Sequence, residues 1–426
     1  MHDYSIIGCV EPQAGHRTEG WHDAAFFNIA KVLEITLNNG RCKGKQLGPK
    51  TGELEELDSM EKILAAYQKQ MEYFVRHLAK ADNAVDYAHM ERAPLPFMSA
   101  MVDDCIKRGK SCQEGGAIYN FTGPQAFGIA DAGDSLYAIQ KNVFEDKRIT
   151  LKELRDALEA NYGYSDAAAP ICTPSISEAT LDEAQIYEAV KKILSSTGSI
   201  DIATLESHLK QGAGTSCGCK SQSDPSKYAT IHNILKNTDS FGNDLEEVDE
   251  FAYRCGKIYC NEVDKYMNPR GGQFQAGIYP VSANVLFGKD VAALPDGRLA
   301  TEPLADGVSP RQGNDVNGPT AASNSVAKLD HAQASNGTLY NQKFTPAAVS
   351  GEQGLKNFVS IIKSFFDKKG SHVQFNVVDK QTLINAQEHP EDNQDLIVRV
   401  AGYSAHFVTL AKEVQDDIIN RTEHDM

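Results

Sequence analysis

Apolar residues at Met60, Ile63, Leu64, Tyr67, Met71, Phe74, Val75 and Leu78 recur at three- and four-residue steps. That period predicts an amphipathic helix over 59–78, with Ser59 as its N-cap and Lys62, Lys69 and Arg76 on the outer face. Further helices are predicted over 96–107, 181–194, 201–209 and 408–421. Alternation of apolar and polar positions predicts strands over 372–378 (Val373, Phe375, Val377) and 396–401 (Leu396, Val398, Val400). Residues 4–7 read as a short buried strand running into a loop at 8–12. The stretch from 268 to 324 is rich in Gly, Asn and Pro, and the chain shows no internal repeat.

The block 164–226 differs in texture. An Ala/Pro run and two short helices lead into a polar, turn-forming segment, which predicts a surface insertion. Its Cys217-Gly-Cys219 pair lacks a second half-site. Exposed reduced thiols are therefore the expected reading, ahead of a metal site or redox switch.

With 426 residues, 41% of them hydrophobic, the chain can bury a large core. Its formal charge of −16 repels nucleic acid phosphates and anionic lipid, so neither is an expected partner. No run approaches a membrane span, and the first residues lack a signal-peptide pattern. The nine cysteines are odd in number and scattered, which fits a reducing, cytoplasmic setting.

Two short segments carry candidate chemistry. Arg399-Val-Ala-Gly402-Tyr-Ser-Ala405 is a strand ending in a glycine turn. Taken alone, such a glycine serves a positive φ angle. Gly8-Cys9-Val10-Glu11-Pro12 is a loop whose cysteine, taken alone, is a small buried apolar group. Cys9-Val10-Glu11 on an extended backbone would set thiol and carboxylate on one side, facing one small substrate.

Together these segments resemble the glycyl radical enzymes. The 399–405 run is similar to that family's C-terminal signature, and the 8–12 run to the thiyl loop of its eliminating members. Glycine suits the first role physically. A backbone α-carbon radical delocalises onto the flanking amide nitrogen and carbonyl only when planar, and a side chain would clash in that form. The loop must also be dry. The resemblance implies that Gly402 stores the radical, Cys9 takes a substrate hydrogen, and Glu11 acts as base with a pKa raised by desolvation. A lone cysteine followed by Val departs from the adjacent pair of pyruvate formate-lyase, so formate-lyase activity is not expected.

The runs 20–28, 91–96, 270–279, 304–310 and 402–424 are similar to B12-independent glycerol and 1,2-propanediol dehydratases. By that resemblance Asp23 binds substrate hydroxyls and Tyr279 lines the pocket. The bland alternatives are a helix cap for Asp23 and a core aromatic for Tyr279. Val281 stands where glycerol-type enzymes carry a hydroxyl residue, which favours a methyl-bearing diol. His22 is expected to pack in the core or to support a residue that touches the substrate, not to act as the general acid.

The implied fold is α/β: the second half of a ten-stranded α/β barrel with surrounding helices, the thiyl and glycyl loops meeting at its centre. The barrel part is expected over 1–293, with the insertion 164–226, and a glycine radical domain over 294–426. The resemblance further implies that no cofactor is bound, and that a separate S-adenosylmethionine/iron–sulfur enzyme installs the radical. It implies a small diol substrate, a missing N-terminal half that carries the general-acid histidine, and a homodimer when complete, with placement inside a bacterial microcompartment left open. Other eliminases (choline, hydroxyproline or isethionate lyase), a non-catalytic spare part and a truncated fragment stand as alternatives.

Overall fold

The computed structural model describes residues 4–164 and 225–425. The helices predicted over 181–194 and 201–209, and the Cys217/Cys219 pair, lie outside the described residues.

The chain opens on an antiparallel hairpin. β1 (Tyr4–Ile7) pairs with β2 (Glu11–Ala14), Ile7 opposite Glu11, and the turn is Gly8-Cys9-Val10. Contrary to expectation β1 is exposed: Tyr4 at 63% and Ile6 at 53%. It pairs along one edge only, and no described element covers its apolar side chains.

β3 (Phe26–Asn28) runs into helix α1 (Ile29–Leu37), whose N-cap is the Asn28 side chain accepting from the Lys31 N–H. Asp23 is thus not the cap of this helix. Helix α2 (Met60–Arg92) begins at the predicted Ser59 cap but continues well past residue 78. The buried stripe carries on as Ala79, Asp82 and Asp86, so its apolar signal fades while its period persists. Asp86 stays buried because Arg270 meets it at 3.0 Å. The helix predicted over 96–107 breaks into Pro96–Met101 and Cys105–Arg108, since Asp104 takes φ +71°.

A parallel sheet joins β3, β4 (Gln125–Phe127) and β5 (Gly277–Ile278), in that order. Bridges Thr18–Tyr119, Trp21–Thr122, Thr122–Phe274 and Ile278–Thr338 extend the parallel array at its margins. Its strands β4 and β5 are buried, β3 is exposed at Phe26, and its crossovers are helices, as parallel pairing requires. Helices α3 (Ile129–Ile139) and α4 (Glu246–Val263) pack so tightly that a Cβ on Gly133 would stand 2.7 Å from Ala252 Cα. They share one core with α1 and α2.

A second parallel sheet orders β6 (Asn341–Phe344) between β7 (Gln374–Val377) and the terminal strand Glu423–His424. Beside it β8 (Ile397–Arg399) and β9 (Ser404–His406) form an antiparallel hairpin with Gly402 in its turn. In β7 the polar residues are the more deeply buried, although Phe375 also packs half-buried against an apolar cluster. Gln374 and Asn376 are buried at 5% each, while Val377 is 47% exposed. The amides are buried because they hold the β8–β9 turn. The predicted closing helix begins as a short 3-10 turn, Phe407–Thr409, and then runs Lys412–Asn420. Among the described residues no helix is long and apolar enough to cross a membrane.

Candidate active site

The two hairpin turns meet. Cys9 sits at the tip of the β1–β2 turn, half-buried, and its Sγ lies 3.5 Å from the Ala401 carbonyl oxygen, 392 positions away in sequence. Gly402 is buried with φ +84°, and a Cβ built on it would overlap Cβ and Sγ of Cys9. Any side chain there would both strain the backbone and displace the thiol. Cys9 and Ala401 belong to one small apolar cluster with Val10, Tyr279 and Leu339.

Burial pushes the Cys9 thiol up to about 12. The Glu11 and Asp23 charges push the same way, against Arg399. At neutral pH this sulfur carries its proton. It is therefore suited to giving up a hydrogen atom and unsuited to acting as a thiolate nucleophile.

Glu11 is 2% exposed and its position corrects the extended geometry expected from sequence. The chain turns tightly here, and Glu11 Oε2 folds back to accept the N–H groups of Cys9 (2.6 Å) and Val10 (2.5 Å). Gly8 permits this with φ +56°, and a Cβ on it would come within 2.7 Å of Glu11 Oε1. Burial raises the Glu11 pKa, opposed chiefly by the Val10 N–H. The carboxylate thus braces the cysteine turn and remains beside the thiol whose pKa it raises.

Asp23 is exposed, close enough for its charge to raise Cys9, Glu11 and Tyr279. Tyr279 is fully buried. Its hydroxyl donates to the His22 carbonyl (3.0 Å) and receives the Asn336 amide (2.9 Å), so it is a core aromatic at the wall of the site. Val281 is half-buried with φ +57°, an unusual conformation for a β-branched residue. His22 packs edge-on to Phe121, and its Nδ1 meets Asn336 Oδ1 at 3.0 Å. Burial lowers its pKa.

Two site residues escape sequence reasoning. Asn336 bonds His22 twice and Tyr279 once, yet its Asn-Gly setting reads as an ordinary turn. Gln374 accepts the Gly402 N–H at 3.0 Å, yet it occupies the polar phase of an alternating strand and so reads as solvent-facing.

Residues 1–288 match the Pyruvate formate lyase-like family, and residues 304–408 the Glycine radical family. The chain belongs to the glycyl radical enzymes, and the second match implies a protein-based glycyl radical. The structure is similar to glycerol-bound B12-independent glycerol dehydratase from Clostridium butyricum (TM-score 0.82, 51% identity, 100% of this chain and 46% of that one). It is also similar to the structure described for 1,2-propanediol dehydration in Roseburia inulinivorans (TM-score 0.84, 49% identity, 99% and 46%). Among curated proteins, (2S)-3-sulfopropanediol dehydratase of Klebsiella oxytoca is 36% identical over 99% of this chain and 44% of its own length. The chain thus spans about half the length of the relatives it matches.

Proposed function

We propose that this chain carries the thiyl and glycyl-radical loops of a dehydratase that converts a vicinal diol, 1,2-propanediol or glycerol, into an aldehyde and water. The observation that carries this reading is the contact of Gly402 with the protonated Cys9 thiol. The identities of 51% and 49% to the two diol-dehydrating structures favour a diol over the substrates of the more distant eliminases.

In this reading one hydrogen atom passes from Cys9 Sγ to the Gly402 α-carbon, breaking S–H and forming C–H. The Cys9 sulfur then takes the hydrogen on C1 of the diol. Glu11 receives the C1 hydroxyl proton, and the charge left on that oxygen expels the C2 hydroxyl, which leaves as water with a proton from a general acid. Cys9 returns its hydrogen to C2 and the aldehyde forms. The raised Glu11 pKa suits a base working near neutrality. Asp23 binds the hydroxyls, Tyr279 forms the wall through Asn336 and His22, and Val281 faces the substituent that distinguishes the two diols. A separate S-adenosylmethionine-dependent iron–sulfur enzyme installs the radical.

The open edge of β3, where Phe26 is 45% exposed, and the bare hairpin β1 fit a barrel completed by a further segment. That segment would supply the general acid. The test activates the chain anaerobically, alone and mixed with an N-terminal half taken from a diol dehydratase. Glycerol, 1,2-propanediol, choline, hydroxyproline and isethionate are then offered. Diol turnover only in the mixture is expected. Full activity of the chain alone would sink the completed-barrel part, and preference for another substrate would sink the diol assignment.

A further inference from the structure

We propose that Gln374 is a positioning residue that orients the Gly402 peptide against Cys9. This rests on the reading of Gly402 as the radical site. The backbone ladder of the β8–β9 hairpin stops at Arg399–Ser404, so the turn that bears Gly402 lies beyond it. Inside the turn Val400 N–H donates to the Tyr403 carbonyl at 2.9 Å. Side-chain amides supply much of the remaining support. Asn376 receives the Arg399 N–H (2.8 Å) and donates to the Arg399 carbonyl (2.7 Å), replacing a strand partner. Gln374 Oε1 receives the Gly402 N–H at 3.0 Å, and its Nε2 reaches the Val400 carbonyl at 3.4 Å.

The direction of the Gln374 amide is set from both ends. Arg399 Nη2 donates to the same Oε1 at 3.1 Å, and a guanidinium has only donors. At the other end Gln374 Nε2 donates to Asn341 Oδ1, and Asn341 Nδ2 donates to the Asp306 carboxylate, which offers only acceptors when ionised. Asp306 is held in turn by Arg421 at 3.1 Å. The series Asp306, Asn341, Gln374, Gly402 therefore has one hydrogen-bond polarity, and Oε1 is the end that must face Gly402. Such a buried, directional network is stiff.

An acceptor on the Gly402 N–H has two effects on the reaction of that residue. It fixes the peptide plane, and so the direction in which the α-hydrogen leaves toward Cys9. It also pushes electron density onto the amide nitrogen whose lone pair delocalises an α-carbon radical. The exchange itself needs no further reactant: Cys9 S–H breaks as Gly402 Cα–H forms, or the reverse.

The test compares the wild-type chain with Gln374→Met, which removes the acceptor, and Gln374→Glu, which keeps it beside Arg399 and, in its protonated form, keeps a donor toward Asn341. Each is activated anaerobically by a radical S-adenosylmethionine activating enzyme and examined by electron paramagnetic resonance. Gln374→Met should alter the α-hydrogen splitting and shorten the radical lifetime, and Gln374→Glu should keep the wild-type splitting. In the unactivated chain, amide exchange over 397–404 should quicken on the order of tenfold in Gln374→Met, with exchange elsewhere unchanged. Wild-type splitting and lifetime in Gln374→Met would overturn the inference while leaving Gly402 as the radical site. So would equal disturbance in both variants; should Gln374→Met fail to fold, a disturbed splitting in Gln374→Glu at a pH where that acid is protonated overturns the inference by itself. A wild-type chain that takes no radical at Gly402 would overturn both.

Discussion

Gly402 lies so close to Cys9 that the smallest possible side chain on the glycine would occupy the volume of the cysteine Cβ and Sγ. Gly402→Ala should therefore give no radical on activation and should also loosen the turn. The positive φ and the overlap together should cost about 2–5 kcal/mol. Paramagnetic resonance and thermal melting measure the two effects. A stable Ala variant with an unchanged melting temperature would contradict the packing.

Cys9→Ser keeps the shape of the turn but offers an O–H bond too strong to exchange with a glycyl α-carbon. Turnover should vanish while the radical at Gly402 still forms. Residual turnover in Cys9→Ser would remove the thiol from the mechanism.

Glu11→Gln keeps an oxygen that can accept the Cys9 and Val10 N–H groups, so the turn should survive. Loss of the base should slow turnover about 100- to 10,000-fold without changing radical content. Wild-type rates in this variant would leave Glu11 with its turn-bracing role alone.

Asp82 is buried on α2 near Asp86, and burial first, then the Asp86 charge, raises its pKa from 3.8 to about 7. A carboxyl whose folded pKa is raised stabilises the fold fully below its unfolded value, and that contribution is lost as pH climbs to the folded value. Asp82→Asn escapes the loss. Its unfolding free energy should match wild type near pH 3 and exceed it increasingly between about pH 4 and 7, by an amount on the order of 2–4 kcal/mol at the plateau, as denaturant titration across pH would show. A difference independent of pH would argue against the shift.

Val281→Ser should raise kcat/KM for glycerol relative to 1,2-propanediol by roughly tenfold, because a hydroxyl replaces a surface that favours a methyl. Steady-state kinetics with both diols gives the ratio, and an unchanged ratio removes Val281 from specificity.

The meeting of the two turns was legible only through the family resemblance that the Gly402 and Cys9 runs carry together; taken singly, one reads as a turn glycine and the other as a buried thiol. The start of α2 was plain from its cap and apolar stripe. Its last turns were not, because the buried stripe changes from apolar residues to Asp82 and Asp86, whose burial depends in part on Arg270, distant in sequence. The deep burial of Gln374 and Asn376 on β7 is hidden for the same reason. Gln374 and Asn376 point inward to serve a backbone that single-strand periodicity cannot reveal. Glu11 was placed on a straight strand because the sequence does not display the tightness of the Gly8 turn.

The protonated state of Cys9 has a consequence away from turnover. Alkylating reagents and peroxide attack the anion of sulfur, which a thiol held near 12 scarcely offers at neutral pH. The resting protein should thus keep this sulfur intact through exposure to electrophiles that consume ordinary surface cysteines.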